Sequence, residues 1–84
     1  MKLKAYRINE YEAWAGETMK DAIRLCAREC GITHEEAFDD AYAQELPGDM
    51  EIADDDGGTT NIFSILASMN AQNKPGFVCG FGEP

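Results

Sequence analysis

Cys26, Cys30 and His34 are the residues of this chain whose spacing could do metal chemistry. Two thiolates four residues apart on one helix face, with an imidazole four residues further, are a donor set suited to zinc. Gly31 stands between Cys30 and His34 and suits a helix C-terminus, which would turn the histidine away. Cys79 would have to return from a distant element. The same two helical thiols also fall on an apolar stripe, where small thiols pack as core residues. The core role is the expectation, with no metal and no cofactor assigned. A thiol–metal module on Cys26, Cys30 and His34 is kept as an alternative. A Cys26–Cys30 disulfide within one helix has poor geometry.

The run Asp54-Asp55-Asp56-Gly57-Gly58 invites a calcium reading. An EF-hand loop needs acids or amides at positions 1, 3 and 5, glycine at 6 and glutamate at 12. Counted from Asp54, those last three places hold Gly58, Thr59 and Ile65, so the motif fails. A charged turn is the expectation. His34 is the single histidine, so any Cys–His or Ser–His machine must use it. Ser64 and Ser68 sit in no nucleophile elbow, and no glycine-rich phosphate loop is present. Carboxylates are abundant, but so short a chain has little means to desolvate one and raise its pKa. No catalytic residue is assigned and no enzyme is expected.

Charge is the strongest feature. The 84 residues carry 16 acids against 7 bases, a formal net charge of −9. From Glu29 to Asn73 there are eleven acids and no lysine or arginine, and six of the seven bases precede residue 29. Ten acids lie between Glu35 and Asp56: Glu35, Glu36, Asp39, Asp40, Glu45, Asp49, Glu51, Asp54, Asp55 and Asp56. Carboxylates at i and i+4 of a helix sit about 5–6 Å apart and repel by a few tenths of a kcal/mol. One lysine would relieve that, and none is there. Such a surface repels nucleic acid and anionic membrane, and it suits a basic protein surface. It can also imitate the phosphates of DNA, spaced about 1.7 Å along the duplex axis. A plain solvated face is the other use of such a run. The ten acids are the candidate partner-binding residues, together with Trp14, whose type is frequent at interface hot spots. Lys20, Arg24 and Arg28 form a basic row and are expected to pair with this chain's own acids.

The elements that must position these residues follow from periodicity. One domain, residues 1–84, is expected. Residues 2–8 and 11–16 read as two strands joined by a two-residue turn at Asn9-Glu10. In the second strand Tyr11, Ala13 and Ala15 share one face, while Glu12 and Trp14 share the other. The inward face of the first strand is ambiguous. Thr18 opens a helix whose stripe is Met19, Ala22, Ile23, Cys26, Ala27 and Cys30, closed by Gly31; Leu25 is a candidate exposed contact. Thr33 and Glu36 form a capping box for a second helix to about Gln44. That helix would place Glu35, Glu36, Asp39 and Asp40 on one arc. Met50 to Ala53 reads as a short strand. Thr59 or Thr60 caps a third helix to about Asn70, with Ile62, Phe63, Ile65, Leu66 and Met69 as its apolar set. Phe77 to Phe81 reads as a final strand, with Gly80 as a bulge or close approach. The fold class is α+β: a small layer of three to four mostly antiparallel strands against about three helices, in the order β-β-α-α-β-α-β, with the helices on one face.

No apolar run is long enough to span a bilayer. No apolar segment follows the basic start Met1-Lys2-Leu3-Lys4, so no signal peptide is expected. Three cysteines make a poor disulfide framework, and a reduced cytosolic protein is expected.

Residues 6–40, YRINEYEAWAGETMKDAIRLCARECGITHEEAFDD, resemble the opening of small acidic proteins encoded by phages and prophages. The shared features are a short strand pair, an acid-opened helix, a CG-type turn and the element Glu35-Glu36-Ala37-Phe38-Asp39-Asp40. Some such proteins are anti-CRISPR proteins. The resemblance implies an inhibitor in the cytoplasm of a bacterial host. Its partner would be a host protein or CRISPR effector complex with a basic surface, bound without nucleic acid or membrane. Self-association as a homodimer, without an inhibitory role, is the alternative.

Overall fold

A computed structural model gives the fold and describes residues 2–53 and 57–81. Two strands come first, β1 (Lys4–Arg7) and β2 (Glu12–Gly16), then two helices, α1 (Met19–Cys30) and α2 (His34–Ala37). Three short strands follow: β3 (Gln44–Glu45), β4 (Glu51–Ala53) and β5 (Thr59–Asn61). The chain finishes with α3 (Ile62–Gln72) and β6 (Phe77–Gly80). This is the expected α+β order with β3 and β5 added. The main sheet runs β3-β1-β2-β6, antiparallel throughout, and β4 and β5 form a second antiparallel pair. No helix among the described residues is long and apolar enough to cross a membrane.

The main sheet is covered on both faces, not one. Tyr6 stands opposite Trp14 across β1 and β2. Both pack with Ile8, Ala22, Cys26, Ala27 and Ala37, so α1 and α2 cover that side. Ala5 and Ala13 point the other way and pack with Leu46, Ile62 and Cys79, which brings α3 to the opposite side. The first strand has no single inward face in sequence because both of its faces are inward. In β1 the small Ala5 alternates with the larger Tyr6, and both are buried.

Local chemistry sets the helix ends. Thr18 Oγ1 accepts from Asp21 N at 3.2 Å, and Gly31 closes α1 with φ +67°. That left-handed backbone favours glycine, because a residue with a Cβ is strained in it. Between β2 and α1 the backbone passes so closely that a Cβ on Gly16 would lie 2.8 Å from the Ala22 nitrogen. Asn61, not Thr59 or Thr60, caps α3, accepting from Ser64 N at 2.8 Å. The two threonines are instead paired with β4. Of the apolar set expected on α3, only Ile62 is fully buried, and Phe63 is 70% exposed.

The second helix is the largest departure. It makes one turn and stops at Ala37, not near Gln44. Its capping box forms as expected, with Glu36 N donating to Thr33 Oγ1 at 3.1 Å and Thr33 N to Glu36 Oε1 at 3.0 Å. Its continuation is then taken over by the β1–β2 loop. Asn9 Nδ2 donates to the Ala37 carbonyl at 2.7 Å, and Asp39 N donates to the Ile8 carbonyl at 2.7 Å. Phe38 is extended, and Asp39 Oδ1 accepts from Ala41 N at 3.0 Å in a local turn. Aspartates favour such side-chain turns over helix interiors. Stopping here also avoids the like-charge helical pairs Glu35/Asp39 and Glu36/Asp40.

Candidate functional site: an acidic groove beside a thiol pair

The β1–β2 connection is longer than a two-residue turn. The last register pair is Arg7 with Ala13, and Ile8 N reaches the Glu12 carbonyl at 3.2 Å. Asn9 organises the loop: its Oδ1 accepts from Tyr11 N at 2.8 Å and from Glu12 N at 3.0 Å. The Arg7 guanidinium donates to the Asn9 and Glu10 carbonyls at 3.2 and 2.7 Å. It also lies over the rings of Phe81 and Tyr42, 4.4 and 5.0 Å from their centroids. That stacking fixes the guanidinium under the loop.

Because Asn9 also holds Ala37, the loop and α2 form the two walls of one groove of about 450 Å³. Glu10 and Glu12 come from the loop side, and Glu35, Glu36 and Asp39 from the other. No lysine or arginine lines it. Tyr11 is 58% exposed and lines the groove too. Five carboxylates thus line one concave surface, with the Arg7 guanidinium bonded to the back of its loop wall.

The structure distributes the sequence-expected acids unevenly. Glu35, Glu36 and Asp39 reach the groove, and Asp40 is exposed just beyond it. The single helical arc expected for these four does not form, because α2 ends before the two aspartates. Glu45 lies on β3 and pairs with Lys4 at 3.9 Å. That pair is exposed and worth at most about 1 kcal/mol. Asp49 follows in the Pro47–Met50 turn, and Glu51 begins β4; both are exposed. Asp54, Asp55 and Asp56 lie outside the described residues.

Trp14, a candidate partner-binding residue, is a core residue. It is 5% exposed and meets Phe77 edge to face, with centroids 5.7 Å apart. No acceptor among the described residues reaches its Nε1. Leu25, a candidate exposed contact, is half-buried against the α1 cluster. In the basic row, Arg24 does meet Asp21 at 3.4 Å. Glu10, Tyr11 and Glu12 are the groove residues that sequence reading missed. Their signal was the loop Asn9-Glu10-Tyr11-Glu12, whose acids sit among bases in the first 28 residues.

The thiols divide. Cys26 and Cys79 are buried, but Cys30 is exposed at the end of α1 rather than in the core. Glu12, on the Trp14 face of β2, reaches over to α1. Its Oε2 lies 3.8 Å from Cys26 Sγ and 3.5 Å from Asn9 Nδ2. One ligand atom each of Glu12, Cys26 and Cys30 lies within 4.8 Å of the others. His34 is not in this cluster: Gly31 ends α1 and the imidazole opens α2. Burial, and then the neighbouring Glu12 carboxylate, push the Cys26 thiol up to about 12.

No protein-family model matches this chain, and no curated protein or solved structure is significantly similar to it.

Proposed function

We propose that the chain is a non-enzymatic inhibitor of the anti-CRISPR type. It would act in a bacterial cytoplasm by docking its acidic groove on a basic, nucleic-acid-binding surface of a host defence complex. The observation that carries this reading is the groove itself: Glu10, Glu12, Glu35, Glu36 and Asp39 line one concavity without a base. Fixed carboxylates in a groove compete with phosphates for the same cationic side chains and speed encounter through long-range attraction. Charge alone gives rate and selectivity more than affinity, so an aromatic anchor is required as well. Tyr11, exposed beside the five carboxylates, supplies it in place of Trp14.

The test is affinity capture with the intact protein from a bacterial lysate carrying an active CRISPR system, read by mass spectrometry. Recovery of one basic nucleic-acid-binding complex is expected. It should be released by target DNA and lost with the triple reversal Glu35→Lys, Glu36→Lys, Asp39→Lys at unchanged circular dichroism. Recovery of such a complex that survives both treatments overturns the groove as the docking surface. A second reading, self-association, is favoured by Phe63, which stands exposed beside Leu66 and Ala67 on α3. Concentration-dependent sedimentation that Phe63→Ser abolishes, with nothing captured, would replace the first reading with the second.

A further inference from the structure

The geometry points to a binding site for a thiophilic divalent cation of the zinc class, made by the Cys26 and Cys30 thiolates of α1 and the Glu12 carboxylate of β2. Three independent features build it. The first is reach: the three donor atoms already lie within 4.8 Å of one another. Zinc–thiolate bonds of about 2.3 Å at a tetrahedral angle put two sulfurs about 3.8 Å apart. Side-chain rotation at the exposed Cys30 closes what remains. A disulfide is a poorer fit for the same pair. Residues i and i+4 of a helix hold their Cβ atoms about 5–6 Å apart, against about 3.8 Å across an S–S bond.

The second feature is outer support. Metal-binding carboxylates are held by partners that fix their orientation. Asn9 Nδ2 reaches Glu12 Oε2 at 3.5 Å and the Ala37 carbonyl at 2.7 Å, while Asn9 Oδ1 accepts from the Glu12 backbone N–H. The carboxylate is therefore anchored through both its side chain and its backbone.

The third is access and selection. Glu12 also lines the acidic groove, so one donor faces a solvent path of concentrated negative charge. Two sulfur donors of three discriminate against magnesium and calcium, which take oxygen ligands. Three protein ligands leave a fourth tetrahedral position for water. The Cys26 thiol donates to Glu12 Oε2 at 3.8 Å. A cation bound between the two takes the place of that proton, which leaves for solvent. The site stands independently of any partner in the groove.

The test titrates cobalt(II) into the full-length, reduced, chelator-stripped protein without oxygen. A thiolate-to-cobalt charge-transfer band that saturates at one equivalent and is displaced by one equivalent of zinc is expected. Cys30→Ser removes an exposed ligand without touching the core, and should weaken binding at least about tenfold, as should Glu12→Gln. His34→Ala should change nothing. Absence of the band at saturating cobalt overturns the site, as does an unaltered band and affinity in Cys30→Ser. Loss in His34→Ala equal to that in Cys30→Ser overturns the choice of Glu12 as third ligand.

Discussion

Asn9 and Ala37 are joined by a 2.7 Å hydrogen bond from the side-chain amide to the backbone carbonyl, across 28 positions of sequence. That bond ends α2 and sets the distance between the walls of the acidic groove. The same side chain holds the Tyr11 and Glu12 amides. With the longer contact to the Glu12 carboxylate, Asn9→Ala therefore loses four bonds at a partly buried position. A destabilisation of about 1–3 kcal/mol follows, since donors and acceptors left without partners carry most of the cost. Urea unfolding of the variant checks it, and a loss below about 0.5 kcal/mol would show that Asn9 does not hold the two segments together.

Gly16 marks the closest approach between β2 and α1. A Cβ there meets the Ala22 nitrogen at 2.8 Å, and that backbone cannot give way without shifting the helix start. Gly16→Ala should cost about 1–3 kcal/mol, in the range of overpacking. Gly76→Ala, where a Cβ meets nothing within 4 Å, should be near neutral and serves as the control. Equal midpoints for the two variants in thermal unfolding would refute the close approach.

Alkaline pH should loosen the fold. Burial pushes the Cys79 thiol above its ordinary value of 9.0, with the Arg7 charge opposing. Burial also raises Tyr6, from 10.0, helped by the Glu45 and Asp21 carboxylates. The folded state thus holds these protons more tightly than the unfolded chain. Their contribution is complete below about pH 9 and is lost as pH climbs through the raised folded values. Unfolding free energies at pH 8 and pH 10.5 should fall in that order. Cys79→Ala should reduce the difference; an undiminished difference in that variant would exclude Cys79 as a source.

What could be read in the sequence was what neighbouring residues decide. The first helix is framed by Thr18 and Gly31, and both caps form as their types demand. Alternation along β2 put Glu12 on the Trp14 side, and the structure finds it there against Cys26. The end of α2 was not readable, because a side chain 28 residues earlier decides it. The acidic arc failed with it: helical periodicity was extended over aspartates that the fold uses in an extended segment. Trp14 is buried because α1 and α2 cover its side of the sheet and Phe77 of β6 meets it edge to face. The second covered face depends on α3 returning to the side that α1 leaves open. Both are long-range arrangements that no local pattern carries.

The main sheet has β3 at one border and β6 at the other. The first is two residues long. On the second the pairing with β2 slips between Ala13 and Trp14, which leaves Val78 without a partner and puts the irregularity there rather than at Gly80. A strand ladder can be templated only along a regular border of unpaired amides and carbonyls. Among the described residues one border of this sheet is too short and the other is interrupted, so the main sheet offers copies no continuous rail for growth. Chains meeting at high concentration would have to recognise one another through side chains, and a net charge of −9 opposes that as well.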